Sequence, residues 1–514
     1  VVFFIDRKHF STSRVWSSLL KIFGLKSVGI IGSGFSSLAA AACLAKEGLR
    51  VTVFEKNAEL GGRARKFEAS GFTFDMGPSW YWMPEVFEQF YNHFGHTTSD
   101  FYKLIRLDPS YEVVFGHNDR LTLPASYEAL RQVFENIESG SAVLLDKFLE
   151  DAEYKYKVGM SEFVWKPGHS IMEFADIRVV QSLFKLQMLS SISKQIDALF
   201  KNEKLRNILK FPVLFLGATP EDTPALYSLM NYADLKLGTW YPSGGMYEVI
   251  DAFITICKKY GVVFRTNAAI TSIGSSGNKA EMLITDTEAF SVDYIVSGAD
   301  YHHTDQILLG AKDKNYTKKY WDNRVMAPSS LLFYLGLDTK ITGLHHHTLF
   351  FDKDFKKHAH DIYKKPAWPD EPLFYMCTPS VTDPSVAPPD KENIFLLMPL
   401  APDIEDNDTL REQYFNVMCD RINLIIGTDI RKHLLFKRSY CVADFKSDYN
   451  AFRGNAYGLA NTLSQTAFLK PKLKNKKLEN FYYTGQLTTP GPGVPPSIIS
   501  GQVVASEILK RIKS

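Results

Sequence analysis

Two glycine-rich turns, one near each end of the chain, restrict its possible folds more than any other feature. The first is Gly32-Ser33-Gly34, followed by Glu55 and then Gly61-Gly62-Arg63. The second is Tyr483-Thr484-Gly485, followed by Pro490-Gly491-Pro492-Gly493-Val494-Pro495. Either alone is a weak sign. Together they predict one dinucleotide gripped by both ends of the polypeptide.

The first turn reads as a βαβ unit. Ser27-Val28-Gly29-Ile30-Ile31 is an apolar run ending in a tight turn, as a buried strand does. Gly32 permits the turn, and Gly34 lets backbone approach a pyrophosphate. From Phe35 to about Gly48 the chain is alanine-rich and predicted helical, with Leu38, Ala42, Ala45 and Leu49 at helical spacing. Its N-terminus suits phosphate. A second strand, Val51-Thr52-Val53-Phe54, ends at Glu55, about twenty residues on, where an acid accepts hydrogen bonds from a ribose. Ser37 departs from the fingerprint, which prefers glycine or alanine there. The plainer alternative is an ordinary βαβ unit with glycine turns.

The segment after the second strand selects FAD over a nicotinamide. Gly61-Gly62-Arg63-Ala64 resembles the glycine-pair loop of the flavin amine oxidase-like superfamily, where backbone and arginine contact the FAD diphosphate. Gly71 to Ser79, including Gly77, Pro78 and Ser79, resembles the stretch that lies beside the cofactor in that superfamily. At the far end a short strand at 481–484 leads through Gly485 and the Gly/Pro loop (Gly493, Val494, Pro495) into a helix predicted from about Pro496 to Ile512. Proline is tolerated in a first helical turn. Amides at that helix start are placed to stabilise negative charge on a reduced flavin.

The fold class expected is α/β: a discontinuous, Rossmann-like FAD-binding domain with an inserted α+β substrate domain and a helical segment facing membrane or substrate. The expected division is an N-terminal extension (1–26), FAD-binding parts at 27–105, 239–305 and 441–514, and substrate-domain parts at 106–238 and 306–440. Strand-like runs at 261–267 and 294–300 return the chain to the cofactor domain. Between them and the first part, 148–200 is mostly helical. There Val180, Phe184, Met188, Ile192 and Ile196 recur every fourth residue, with Leu183 and Leu199 nearby. That face is either core or an apolar side turned to lipid. The run from Phe211 to Leu216 extends the apolar character.

Several classes are excluded. The net charge of +2 gives no nucleic-acid footprint. Five scattered cysteines without a Cys-x-x-Cys fit a reducing, cytoplasmic setting rather than a disulfide framework. Adjacent histidines (His302-His303, His345-His346-His347) do not easily share one ion, so no metal site is assigned. No apolar run reaches a membrane-spanning length. The lysines at 470, 472, 474, 476 and 477 read as a solvated loop or, alternatively, a patch for anionic lipid.

Longer matches carry a narrower resemblance. Phe74 to Pro84, Thr239 to Met246, Tyr375, Pro379-Ser380, Asp383-Pro384-Ser385, Gly454 to Leu459 and Gly491 to Val494-Pro495 resemble the bacterial-type carotenoid desaturases, among them the phytoene desaturases, over nearly the whole chain. The resemblance implies FAD-dependent, repeated dehydrogenation of a C40 polyene toward lycopene by a peripheral membrane protein. A hydrocarbon is recognised by shape and apolar burial, and Trp80, Tyr81 and Trp82 are the expected substrate contacts. Some relatives place an acid, then an arginine three residues on, in the first substrate-domain helix; here Glu150 and Glu153 stand there, weak catalytic candidates whose alternative is a solvated helix face. Rival readings are another carotenoid enzyme (a hydroxycarotenoid or diapophytoene desaturase, an isomerase, a retinol saturase-like reductase) and a non-catalytic lipid or prenyl carrier.

Overall fold

The computed structural model describes residues 26–169, 190–214, 217–462 and 464–514. The sequence-predicted face at Val180, Leu183, Phe184 and Met188, and nearly all of the N-terminal extension, lie outside them. In chain order the strands that build the two main sheets are β1 (Ser27–Ile31), β2 (Arg50–Phe54), β3 (Tyr111–Gly116), β4 (Asp119–Leu123), β5 (Val263–Arg265), β6 (Tyr294–Ser297), β7 (Ser329–Leu337), β8 (His347–Phe350), β9 (Phe374–Cys377), β10 (Glu392–Leu400), β11 (Leu434–Tyr440) and β12 (Phe481–Tyr483). The helices that bear on the site are α1 (Phe35–Lys46), α2 (Ser141–Val158), α3 (Tyr247–Lys259) and α4 (Val494–Lys513).

The first sheet is parallel, in the order β12-β6-β1-β2-β5. β1 lies at its centre, in register with β2 from Ser27 opposite Arg50 to Ile31 opposite Phe54, and with β6 from Val28 opposite Tyr294. The last strand, β12, closes the edge beside β6 through Ile295 opposite Phe481. The nucleotide-binding sheet is thus assembled from both ends and the middle of the sequence. Parallel strands are covered on both faces, and α1, buried from Phe35 to Ala45, does part of the covering. Small residues let α4 lie directly on α1. A Cβ added at Gly501 would sit 2.2 Å from the Ser36 carbonyl oxygen and 2.9 Å from the Ala39 Cβ.

The second sheet is mixed, in the order β11-β7-β10-β9-β8-β3-β4. Its neighbours are antiparallel except β8 and β3, which run parallel. Every residue of β7 is buried, so the sheet is covered on both faces at that strand, while its edge strands β11 and β4 expose alternate residues. A hairpin at Lys66–Ala69 and Phe72–Asp75 links the two halves. The Tyr334 hydroxyl on β7 donates to the Met76 carbonyl at 2.7 Å, and the Phe72 ring lies where a Cβ on Gly336 would be.

Candidate cofactor and substrate site

A cavity of about 1170 Å³ runs from the C-terminal ends of β1 and β2 to the second sheet. Its polar end is built by the first glycine turn. Gly32 has φ +84°, and a Cβ there would press on the Ala299 backbone. Gly34 differs: a Cβ at this residue meets no atom within 4 Å, and the residue lines the cavity. The missing side chain therefore leaves a space, shaped for a ligand. Gly62 holds the other side; its Cβ position is 3.1 Å from the Gly34 Cα.

Glu55, only 4% exposed, ties these turns together. One oxygen accepts from the Ser33 N–H at 3.0 Å and the Ser33 hydroxyl at 2.7 Å. The other accepts from the Asn57 N–H at 2.9 Å and its Nδ2 at 3.1 Å. The Gly61 N–H in turn donates to the Ser33 carbonyl at 3.2 Å and to its Oγ at 3.1 Å. A carboxylate has about four acceptor positions, so a ribose hydroxyl must share an oxygen with these donors. Organising the turn is the role the geometry gives Glu55, beside the ribose role expected from its spacing. Asn57 and the Ser33 hydroxyl were not legible from the fingerprint, which specifies glycines and one acid.

Arg63 lines the cavity as a half-buried cation. Its ring partner is Tyr449, 5.1 Å away, and its Nη2 reaches the Asn455 carbonyl at 3.5 Å. Its buried Nε has no hydrogen-bond partner among the described residues. Burial lowers its pKa, opposed chiefly by the charge of Asp300. A half-buried guanidinium with an unused Nε donor fits a diphosphate. Gly77 makes room for the same loop: a Cβ there would be 2.2 Å from the Arg63 carbonyl oxygen. Pro78 and Ser79 continue along the cavity wall.

The C-terminal turn forms the opposite wall. The Gly485 N–H donates to the Ser500 Oγ at 3.1 Å, fastening the loop to α4. Gly493 is the residue before the helix, with φ 109° and no side-chain cap. The helix starts at Val494, two residues earlier than expected, so Pro495 and Pro496 occupy its first turn. They carry no N–H, and the Ser497 N–H already bonds the Gly493 carbonyl at 3.1 Å. The expected set of free amides at this helix start reduces to those of Gly493 and Val494.

Beyond the glycines the cavity becomes apolar. Met160, Phe163, Leu226, Leu332, Phe395 and Leu397 line it, with Trp80 and Trp82. The Trp80 ring stacks on His347 at 4.0 Å and 13°, and the Trp82 Nε1 donates to the Thr239 Oγ1 at 3.0 Å. Tyr81 does not belong to this wall. It is 0% exposed, stacked on Phe87 and hydrogen-bonded to the Tyr102 hydroxyl at 3.0 Å. Alternation along the extended segment turns it away from its neighbours, which corrects its expected substrate role.

The catalytic candidates are also corrected. Glu150 is exposed, and Glu153 pairs with Lys157 at 2.7 Å and accepts from the Tyr232 hydroxyl at 3.2 Å. Neither lines the cavity, which α2 meets only past its end, at Gly159, Met160, Phe163 and Val164. A polar chain that the sequence did not announce reaches the cavity instead. The Tyr375 hydroxyl donates to the Ser79 Oγ at 3.1 Å and meets the His347 Nδ1 at 2.7 Å.

Contrary to expectation, adjacent histidines do converge: His346, His347 and Cys377 bring ligand atoms within 4.8 Å of one another. Burial pushes the Cys377 thiol up to about 12 and the His346 imidazole down to about 3, and the His346 Nδ1 is taken by the Thr382 Oγ1 at 2.8 Å. Cysteine binds metal as thiolate, and burial opposes that form here. The lysine-rich stretch is corrected as well. Lys476 and Lys477 are exposed, but Lys470 is 2% exposed and Lys472 turns its ammonium onto the carbonyls of Gly168 and Phe468.

Comparison with known proteins agrees with this geometry. Residues 35–509 match the family described as flavin containing amine oxidoreductase. A carotenoid 3,4-desaturase from Haloarcula japonica is 38% identical over 490 residues, covering 95% of this chain and 99% of the relative. A 4,4'-diapophytoene desaturase (4,4'-diaponeurosporene-forming) from Staphylococcus haemolyticus is 30% identical, with 95% and 99% covered. Among solved structures, an oxidoreductase from Methanosarcina mazei superposes with a TM-score of 0.63 at 17% identity, over 93% of this chain and 100% of that one. Cyclohexylamine oxidase from Brevibacterium oxydans gives 0.58 at 14%, over 95% and 100%.

Proposed function

Because the chain belongs to the flavin-containing amine oxidoreductases, and within them to the carotenoid desaturases, we propose that it desaturates a long carotenoid chain drawn into the apolar arm of the cavity. It holds FAD and acts on CH–CH bonds; the proposal concerns which ones. The observation that carries it is the continuity of one cavity from the phosphate turn to the apolar wall at Trp80 and Trp82. Two substrates compete. Desaturation at a 3,4 position is favoured by the 38% identity to the haloarchaeal enzyme of that name. Phytoene, desaturated stepwise toward lycopene, is the reading that rests on the sequence motifs.

Bound FAD would supply the hydride acceptor. The chain's own residues do the rest. Gly34, Gly62 and Arg63 would seat the diphosphate, and Glu55 fixes the turn that presents them. The apolar arm binds by burial, about 25 cal/mol per Å² of apolar surface, and excludes water from the reacting carbons. No helix among the described residues is long and apolar enough to cross a membrane. We propose that the substrate is taken from the bilayer surface, to which the protein binds peripherally; co-sedimentation with anionic and neutral vesicles tests this, and no binding to either would overturn it.

The deciding experiment for the substrate is pigment extraction from two bacterial hosts expressing the chain, one accumulating phytoene and one lycopene. Coloured products in the first host support phytoene. A longer chromophore only in the second supports the 3,4 position. No change in either, with folded FAD-loaded protein confirmed, would overturn carotenoid desaturation as its activity.

A further inference from the structure

A buried ammonium without a carboxylate is costly and calls for a reason. The Lys470 Nζ donates to the Asn461 Oδ1 at 2.7 Å, and no described charged group acts on it; burial alone pushes it down to about 7. The elements around it bring little charge. The Lys472 ammonium faces the Gly168 and Phe468 carbonyls. Segment 164–169 carries Lys166, over the Phe163 ring, and His169, paired with Glu507 at 2.9 Å. The loop at 489–493 carries no charge.

The position of Lys470 is informative. It lies behind the cavity wall formed by Gly491 and Asn461. A Cβ on Gly491 would be 3.5 Å from the Lys470 Nζ and Cε, and 3.6 Å from the Asn461 Oδ1. Diphosphate belongs at Gly34 and Arg63 and ribose at Glu55, which leaves this C-terminal wall to the flavin half. Desaturation breaks two C–H bonds: one hydrogen leaves as hydride with both electrons, the other as a proton. Taking the hydride would leave a bound flavin anionic, and the start of α4 would offer that charge little beyond the Gly493 and Val494 amides, since Pro495 and Pro496 have no N–H.

We propose that Lys470 is the counter-charge of the reduced flavin, raising the reduction potential of bound FAD from behind the Gly491 wall. This rests on FAD occupying the cavity, so flavin stoichiometry is measured first; a chain without flavin fails there, not at Lys470. Dye-equilibrated redox titration and sulfite binding are then compared for the wild-type, Lys470→Met, Lys470→Gln and Lys470→Arg holoenzymes. Sulfite adds to oxidised flavin and leaves the same anionic ring. The neutral variants should have a lower potential and bind sulfite at least about tenfold more weakly, a full charge at this depth being felt strongly. Arginine should restore much of both. If the neutral variants do not fold, the wild-type enzyme still decides. Its potential should fall more steeply with pH across the titration of Lys470, because reduction draws a proton onto the amine. Unchanged potential and sulfite affinity in the neutral variants, or a wild-type slope without inflection between pH 6 and 9 in their place, would overturn the proposal; these pH limits bracket the lysine by about 1–2 units.

Discussion

At the scale of single residues, the cavity makes a sharp distinction between glycines. Gly34 has open space where a side chain would go, so Gly34→Val should leave the apoprotein's thermal midpoint unchanged. FAD affinity should nevertheless fall roughly a hundredfold or more, because the added volume and the pyrophosphate compete for one place. Equilibrium dialysis against FAD and a melting curve of the apoprotein check both halves. Tyr81→Phe should do the reverse: about 1 kcal/mol of stability lost with the Tyr102 hydrogen bond, and desaturation rate unchanged. The glycines and Glu55 were legible because a tight turn, close backbone approach and a ribose each demand a particular residue type. Trp80, Tyr81 and Trp82 were legible only as a group. Alternation shows that neighbours in an extended segment part ways, but not which of them the cavity will claim.

Among elements, the crossing of α4 over α1 has the least tolerance. Gly501→Ala would put a methyl group 2.2 Å from the Ser36 carbonyl oxygen. The helices must separate, and α1 carries the phosphate turn on its N-terminus. Denaturant unfolding of the apoprotein should show a loss of about 2–4 kcal/mol, accompanied by weaker FAD retention. Undiminished stability would mean that the helices do not rely on that contact. Element identity followed from periodicity in the first βαβ unit, where β1, α1 and β2 all appeared close to their expected limits. The resemblance failed at α2, since a matching acid marks a place along the chain but does not say what its side chain will meet. Glu150 and Glu153 lie on a helix that reaches the cavity only past its C-terminal end. Lys470 was misread for a related reason: a run of lysines reads as solvated, and nothing local announces that one of them turns inward.

For the whole molecule, stability should depend on pH in a direction set partly by Lys470. Its folded pKa is depressed from 10.5 to about 7, so between those values the unfolded chain binds the extra proton and the apoprotein grows more stable as pH rises. Denaturant midpoints measured across that interval should rise, and Lys470→Met should flatten the rise; a slope indifferent to the substitution would refute the assignment. The parallel FAD sheet was readable from sequence because each strand ends in a recognisable turn. The second sheet was not, since the order β11-β7-β10-β9-β8-β3-β4 depends on pairings between distant segments that leave no local mark. The composite origin of the first sheet has a consequence during synthesis. A ribosome will have released β1, α1 and β2 long before β12 and α4 emerge to supply the far wall of the cavity. The nascent chain must hold its glycine turns exposed until residues 481–513 arrive, so the yellow colour of bound flavin reports translation through that final segment as well as folding.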